Sequence, residues 1–80
     1  MYLEIITPDK EIFTGEVKSV TVPGSKGSFE VLENHAPIIS TLMEGNVRVV
    51  DLNGTETFIE LQGGVIEVKS NRLILLAKLV

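Results

Sequence analysis

The sequence predicts an all-β chain folded as a small β-sandwich or flattened barrel, on three observations. Val, Ile and Thr fill 24 of the 80 positions, while Ala appears only at 36 and 77. β-Branched side chains lose rotamer freedom in a helix and fit the pleated surface of a strand. No stretch carries apolar residues at i, i+3, i+4 and i+7 for the length a stable helix needs, and turn residues cut the chain into strands of roughly five to eight residues.

The first strand is Tyr2 to Ile6, closed by Thr7-Pro8-Asp9-Lys10, where Pro presets a turn corner. Glu11 to Val22 is long for one strand, and Gly15 in its middle predicts a bulge or a bend between two sheets. Pro23-Gly24 suits a type II turn, with Gly accepting positive φ at the third position. Gly27 then releases the chain into Ser28 to Leu32, where Phe29 and Val31 alternate with Ser28 and Glu30. A loop over Glu33 to Pro37 leads to Ile38 to Met43, which Gly45 ends. Asn46 to Leu52 runs into Asn53-Gly54, a strong hairpin dipeptide, and Thr55 to Gln62 returns. Gly63-Gly64 predicts another hairpin corner before Val65 to Lys69, and Ser70-Asn71 leads to the last strand, Arg72 to Leu79. These turns predict eight strands, or nine if Gly15 divides the second.

With no helix to cover a sheet, the strands must bury their apolar faces against one another, within one domain spanning 1–80. Two strands are apolar on both faces: Val47, Val49 and Val50 with Leu52, and Leu73 to Leu76. A small sandwich covers one face of each sheet, so either these strands are central with a covered outer face or that face docks on another protein, and docking is the reading preferred.

Composition narrows function by exclusion. Eleven acids against seven bases give a net charge of −4, which repels phosphate backbones, and four aromatics offer little base stacking. No cysteine is present, which removes disulfides, thiolate zinc sites and cysteine nucleophiles. The longest apolar run, Leu73 to Ala77, is far short of the roughly 20 residues that span a bilayer. The opening Met1-Tyr2-Leu3-Glu4 lacks the pattern of a secretory signal, so the chain is expected in the cytoplasm.

His35 is the one candidate base, with Glu33 and Asn34 beside it, and no nucleophile is marked to converge on it. One histidine among scattered carboxylates also falls short of the three or four ligands that zinc prefers, so no metal and no cofactor is expected. Gly24-Ser25-Lys26-Gly27-Ser28 lacks the phosphate-loop spacing and leads into a strand, which makes it turn chemistry. A stand-alone carrier or small-ligand-binding module is the alternative reading. A carrier would present one lysine at a hairpin tip, but the context Pro8-Asp9-Lys10-Glu11 lacks the usual flanking pattern.

Four segments, in order, carry a resemblance that spans the chain. They are Pro8-Asp9-Lys10-Glu11-Ile12-Phe13-Thr14-Gly15, then Val22 through His35-Ala36-Pro37, then Leu42-Met43-Glu44-Gly45, then Leu61-Gln62-Gly63-Gly64-Val65-Ile66-Glu67-Val68. Together they closely resemble the N-terminal β-sandwich of the epsilon subunit of F-type ATP synthases. The resemblance implies about eight to ten mostly antiparallel strands. It implies a non-catalytic rotor subunit that grips gamma, rests on the c-ring, and couples proton or sodium translocation to ATP synthesis. That places it peripherally on the cytoplasmic face of the bacterial inner membrane. The helical hairpin that usually follows the sandwich in that family has no counterpart in these residues, so the resemblance is to a short form, and self-inhibition and nucleotide sensing are not carried over. Ser28 stands where the family often has an acidic residue. Carried over residue by residue, Thr7, His35, Ala36, Pro37 and Ser40 are expected to face gamma, and Ser25, Lys26, Gly27 and Ser28 to face the c-ring. Val50, on an outward apolar face, joins the gamma set, and Val50→Asp is expected to weaken gamma binding.

Overall fold

The computed structural model describes all residues 1–80 and contains seven strands and no helix. They are β1 (Tyr2–Ile6), β2 (Glu11–Val22), β3 (Phe29–Leu32), β4 (Ile38–Leu42), β5 (Gly45–Asp51), β6 (Glu56–Lys69) and β7 (Arg72–Leu79). Pairing runs β1-β7-β6-β5-β2, and β2 pairs back onto β1, so five strands close a barrel. β3 adds to β2, and β4 adds to β6. Every pairing is antiparallel except β1 with β7.

Two long strands flatten the barrel by serving both layers. β2 pairs with β1 through residues 11–16 and with β5 and β3 through residues 17–22. β6 pairs with β5 through residues 56–61 and with β4 through residues 64–68, while β7 follows it across the junction. One layer therefore holds β3, β5 and the adjoining halves of β2 and β6. The other holds β1, β7, β4 and the remaining halves.

The all-β class agrees with the sequence expectation, but seven strands form rather than eight or nine. Gly63-Gly64 is not a hairpin corner. β6 runs straight through it, with Gln62 as the extra residue of a bulge against β7. A glycine is required there because a Cβ on Gly64 would lie 2.4 Å from the carbonyl oxygen of Leu76. Gly15 carries no bulge either, since it pairs in register with Leu3; the register shift against β5 sits between Val17 and Ser19, where β2 leaves β1 for β5. The turn after β2 spans Gly24 to Gly27, closed by Gly27 N–H to Gly24 C=O at 2.9 Å, and positive φ falls on Gly27 rather than Gly24.

The remaining turns follow from side-chain chemistry. Ser70 and Asn71 both hold positive φ, at 52° and 62°, the two-residue type I′ geometry that matches strand twist. Before Thr55 the chain makes a turn over Asp51–Gly54, with Gly54 alone at φ 84°. Asp51 Oδ1 accepts the N–H groups of Asn53 and Thr55 at 2.8 and 2.9 Å, which fixes that loop.

Between the layers lies a core of 16 buried apolar residues, drawn from every strand. Alternation puts Leu3 and Ile5, Val20 and Val22, Val47 and Val49, and Leu73 and Leu75 inside. No buried side-chain nitrogen or oxygen lacks a partner.

Candidate functional site

Alternation also decides what is left outside. On the layer of β1, β7, β6 and β4, the outward row Ile6–Leu76–Val65–Thr41 crosses the whole sheet in register. The adjoining row is Glu4–Ile74–Glu67–Ile39. Leu76 and Ile39 are 51% and 70% exposed. This is an apolar stripe on a sheet face with nothing covering it, the kind of patch that marks an interaction surface.

Thr7 sits at one end of that stripe, in a groove it shares with Ile6, Pro8, Val65, Leu76 and Leu79. Its hydroxyl accepts the N–H groups of Asp9 and Lys10 at 3.3 and 3.1 Å, so it holds its own turn in shape at the rim. At the other end, the loop Ser25 to Ser28 lines a second groove with Phe29, His35, Ile38, Ile39, Ser40 and Thr41. Ser25 N–H donates to Thr41 C=O at 2.9 Å and the Thr41 hydroxyl donates to Ser25 Oγ at 2.9 Å, which zips the loop to the end of β4. The residues expected to face gamma and those expected to face the c-ring thus meet in one groove at His35, Ser40 and the loop.

The His35 corner is held from behind. Asn34 takes φ 60°, and its N–H donates to Asn71 Oδ1 at 2.9 Å. Asn71 Nδ2 donates to Glu33 Oε1 at 2.6 Å, while the amine of Met1 lies 3.0 Å from Glu33 Oε2. The Asn71 hydrogen bond, with the amine second, holds the Glu33 carboxyl below its ordinary value. Glu33 in turn raises the Met1 amine, helped by Glu16 at 3.3 Å. His35 Nδ1 lies 2.7 Å from the carbonyl oxygen of Ala36 and must donate to it, since a carbonyl only accepts. Ala36 and Pro37 are exposed beside it. The β6–β7 hairpin, far away in sequence, therefore sets where this corner stands.

Val50 stands apart. It faces outward on the opposite layer, between Ser19 and Glu56, in a groove with Leu32 and Leu52. Arg48 bridges the same surface by ion pairs to Glu56 and, at 4.0 Å, to Glu30.

The sequence marked the surplus apolar residues of β7 but left Ile6 and Val65 unassigned. Val65 was hidden because Gly63-Gly64 reads as a turn, which detaches it from the strand that aligns it with Leu76. The readable signal was the alternation Val65, Glu67, Lys69.

No cluster of three or more His, Asp or Glu side chains is arranged to hold a metal ion. The chain is a closed, flattened β-sandwich domain that leaves apolar side chains exposed on both layers, Leu76 and Ile39 on one and Leu32, Leu52 and Phe58 on the other. The family model for the ATP synthase delta/epsilon chain beta-sandwich domain matches residues 1–80, and the chain belongs to that family. It is 44% identical over 78 residues to the ATP synthase epsilon chain of Campylobacter hominis, covering 96% of this chain and 60% of that one. Against the epsilon chain of Chlorobaculum tepidum the figures are 42% over 76 residues, with 95% and 86% covered. Among solved structures, a chain of the Euglena gracilis mitochondrial ATP synthase superposes with a TM-score of 0.88 at 22% identity, covering 94% of this chain and 48% of that one. A chain of the Tetrahymena thermophila mitochondrial ATP synthase central stalk and c-ring gives 0.81 at 14% identity, with 96% and 62% covered. These two likenesses bear on the fold.

Proposed function

We propose that this chain is a non-catalytic rotor subunit of an F-type ATP synthase, linking gamma to the c-ring and coupling ion translocation to ATP synthesis. Membership in the delta/epsilon family supports the assembly, and the homologous chains are named as its epsilon chains. The chain sits peripherally, on the cytoplasmic face of a bacterial inner membrane, through its partners.

The observation that carries the docking is the uncovered stripe Ile6–Leu76–Val65 beside Thr7. A stable contact buries about 800 Å² on each partner. The molecule measures 27 × 23 × 19 Å, so a partner burying that much must cover nearly a whole layer face and reach the turns at its ends. Gamma covers the stripe from Thr7 to the His35–Pro37 corner and Ser40. The loop Ser25–Ser28 stands at the rim between the two partners, meeting the c-ring on its outer side and gamma where it lines the groove with Ile39 and Thr41. Val50, on the opposite layer, is left outside this face. The chain performs no chemistry; its closed barrel and fixed turns make it a stiff coupling element.

The test is co-purification of the tagged chain from cells that make the complex, with mass spectrometry of what accompanies it. Gamma with alpha, beta and c subunits behind it is the expected recovery. A folded chain that returns alone would overturn the proposal.

A further inference from the structure

We infer that the open edge of β4 accepts an extended, carboxylate-bearing segment of the rotor subunit that covers the neighbouring sheet face. This rests on the rotor reading above for the identity of the partner, and on the groove itself for the chemistry.

β4 pairs with β6 along its whole length, and its other edge is covered only at the C-terminal end, by a bridge between Leu42 and Gly24. Along a strand, backbone groups alternate between the two edges. The Thr41 carbonyl takes the Ser25 N–H, so it points to the free edge, and the N–H and C=O of Ile39, two residues earlier, point the same way. Neither group of Ile39 makes a turn or loop hydrogen bond, and no second strand lies there. Natural sheet edges are commonly blunted by charge, proline or a bulge. Residues 38 to 42 carry no charge and no proline, and pair with β6 without a register shift. Such an edge is a template on which a peptide adds as a strand. The side chain of Ile39 is 70% exposed and continues the apolar stripe, so a partner on that face reaches the edge without a gap.

Charge selects the occupant. The chain carries a net −4, yet the groove along this edge is lined by Lys26 and His35 with the hydroxyls of Ser25, Ser28, Ser40 and Thr41, and by no carboxylate. Lys26 makes no ion pair within the chain, and His35 Nε2 has no internal partner. Within the groove itself, on the far side of β4 from Glu67, an incoming segment finds its charge complement by placing an Asp or Glu against Lys26. Because Pro37 stops pairing at one end and Ser25 at the other, the added strand is short, two or three residues long.

The experiment is amide hydrogen exchange on the free chain and on its complex with gamma, together with the variants Ile39→Pro, Lys26→Glu and Lys26→Gln. The Ile39 amide exchanges freely in the free chain and slows by about a hundredfold in the complex as the edge becomes paired. Ile39→Pro removes an N–H that makes no ladder bond, so the fold is kept while the docking weakens. Lys26→Glu slows association by about tenfold and Lys26→Gln by less, with the difference shrinking as salt rises. A complex that forms while Ile39 stays unprotected overturns the inference and leaves the rotor reading standing. So does tighter binding by Lys26→Glu, which would mark a basic partner, or protection of Ile39 by self-association of the free chain. Absence of any complex with gamma removes the rotor reading and the inference with it.

Discussion

Gly64 and Gly15 lie in the middle of strands, and replacing each by alanine should move stability in opposite directions. A Cβ on Gly64 would lie 2.4 Å from the Leu76 carbonyl oxygen, about 1 Å inside the 3.4 Å where ordinary contact begins. The obstacle is backbone, and β6 is held on both sides there, by Leu42 of β4 and Ala77 of β7, so neither strand has room to slide. Overpacking of this kind costs roughly 1–3 kcal/mol, and a backbone obstacle belongs at the upper end. In a domain of this size each kcal/mol moves the melting point by about 4–8 °C, so Gly64→Ala should lower it by roughly 10–20 °C. At Gly15 the nearest atom to a new Cβ is the Phe13 ring at 3.9 Å, an ordinary contact. Alanine there removes chain entropy from the unfolded state and should add about 0.5–1 kcal/mol. Thermal unfolding followed by circular dichroism reads both. A Gly64→Ala melt within 2 °C of the parent, or equal shifts of the same sign for both variants, would refute the account of β6 as a single strand running tightly beside β7.

Two further outcomes follow from the turns. Asp51→Ala leaves the N–H groups of Asn53 and Thr55 to water and should cost about 1 kcal/mol in urea unfolding with an unchanged m value; Asp51→Asn, which keeps an acceptor oxygen, should recover most of it. Glu33 is held below its ordinary value of 4.5, first by Asn71 and then by the amine of Met1, so its stabilising contribution is complete above that value. The contribution is lost as pH falls through the lowered folded value, because the unfolded chain then binds the proton more tightly. The parent melting point should therefore drop on acidification below about pH 4.5 more than that of Glu33→Gln, and parallel pH profiles would contradict the assignment.

Much of the fold was legible because the pattern of period two is strong where one face is buried. Phe29 and Val31 alternate with Ser28 and Glu30 as read, and the hairpin at Ser70-Asn71 falls where it was placed. Glycine was the chief source of error, because one residue type serves three needs. At Gly54 it supplies positive φ in a turn, at Gly64 it lets one backbone approach another, and at Gly15 it makes neither demand. Local sequence does not distinguish these, since the atom that excludes a Cβ at Gly64 belongs to a residue twelve positions away. The same limit hid the apolar stripe. Ile6, Leu76 and Val65 are adjacent only through the pairings of β1 and β6 with β7, one of them parallel, and no short window of sequence contains that row. The surplus apolar residues of Leu73–Leu76 could be read directly, but which of the two surplus faces is continuous with Thr7 could not.

The central claim is that gamma covers the layer of β1, β7 and β6 rather than the opposite layer. Leu76 is 51% exposed, so Leu76→Asp should leave the fold within about 1 kcal/mol of the parent. The decisive measurement is the affinity of purified gamma for the parent chain, Leu76→Asp and Val50→Asp, with melting points recorded for all three. Leu76→Asp should weaken binding by at least about a hundredfold, as expected for a charge driven into the apolar centre of an interface, while Val50→Asp stays within about threefold. Loss of gamma binding by Val50→Asp with Leu76→Asp unaffected, both variants being folded, would place gamma on the other layer and contradict the account.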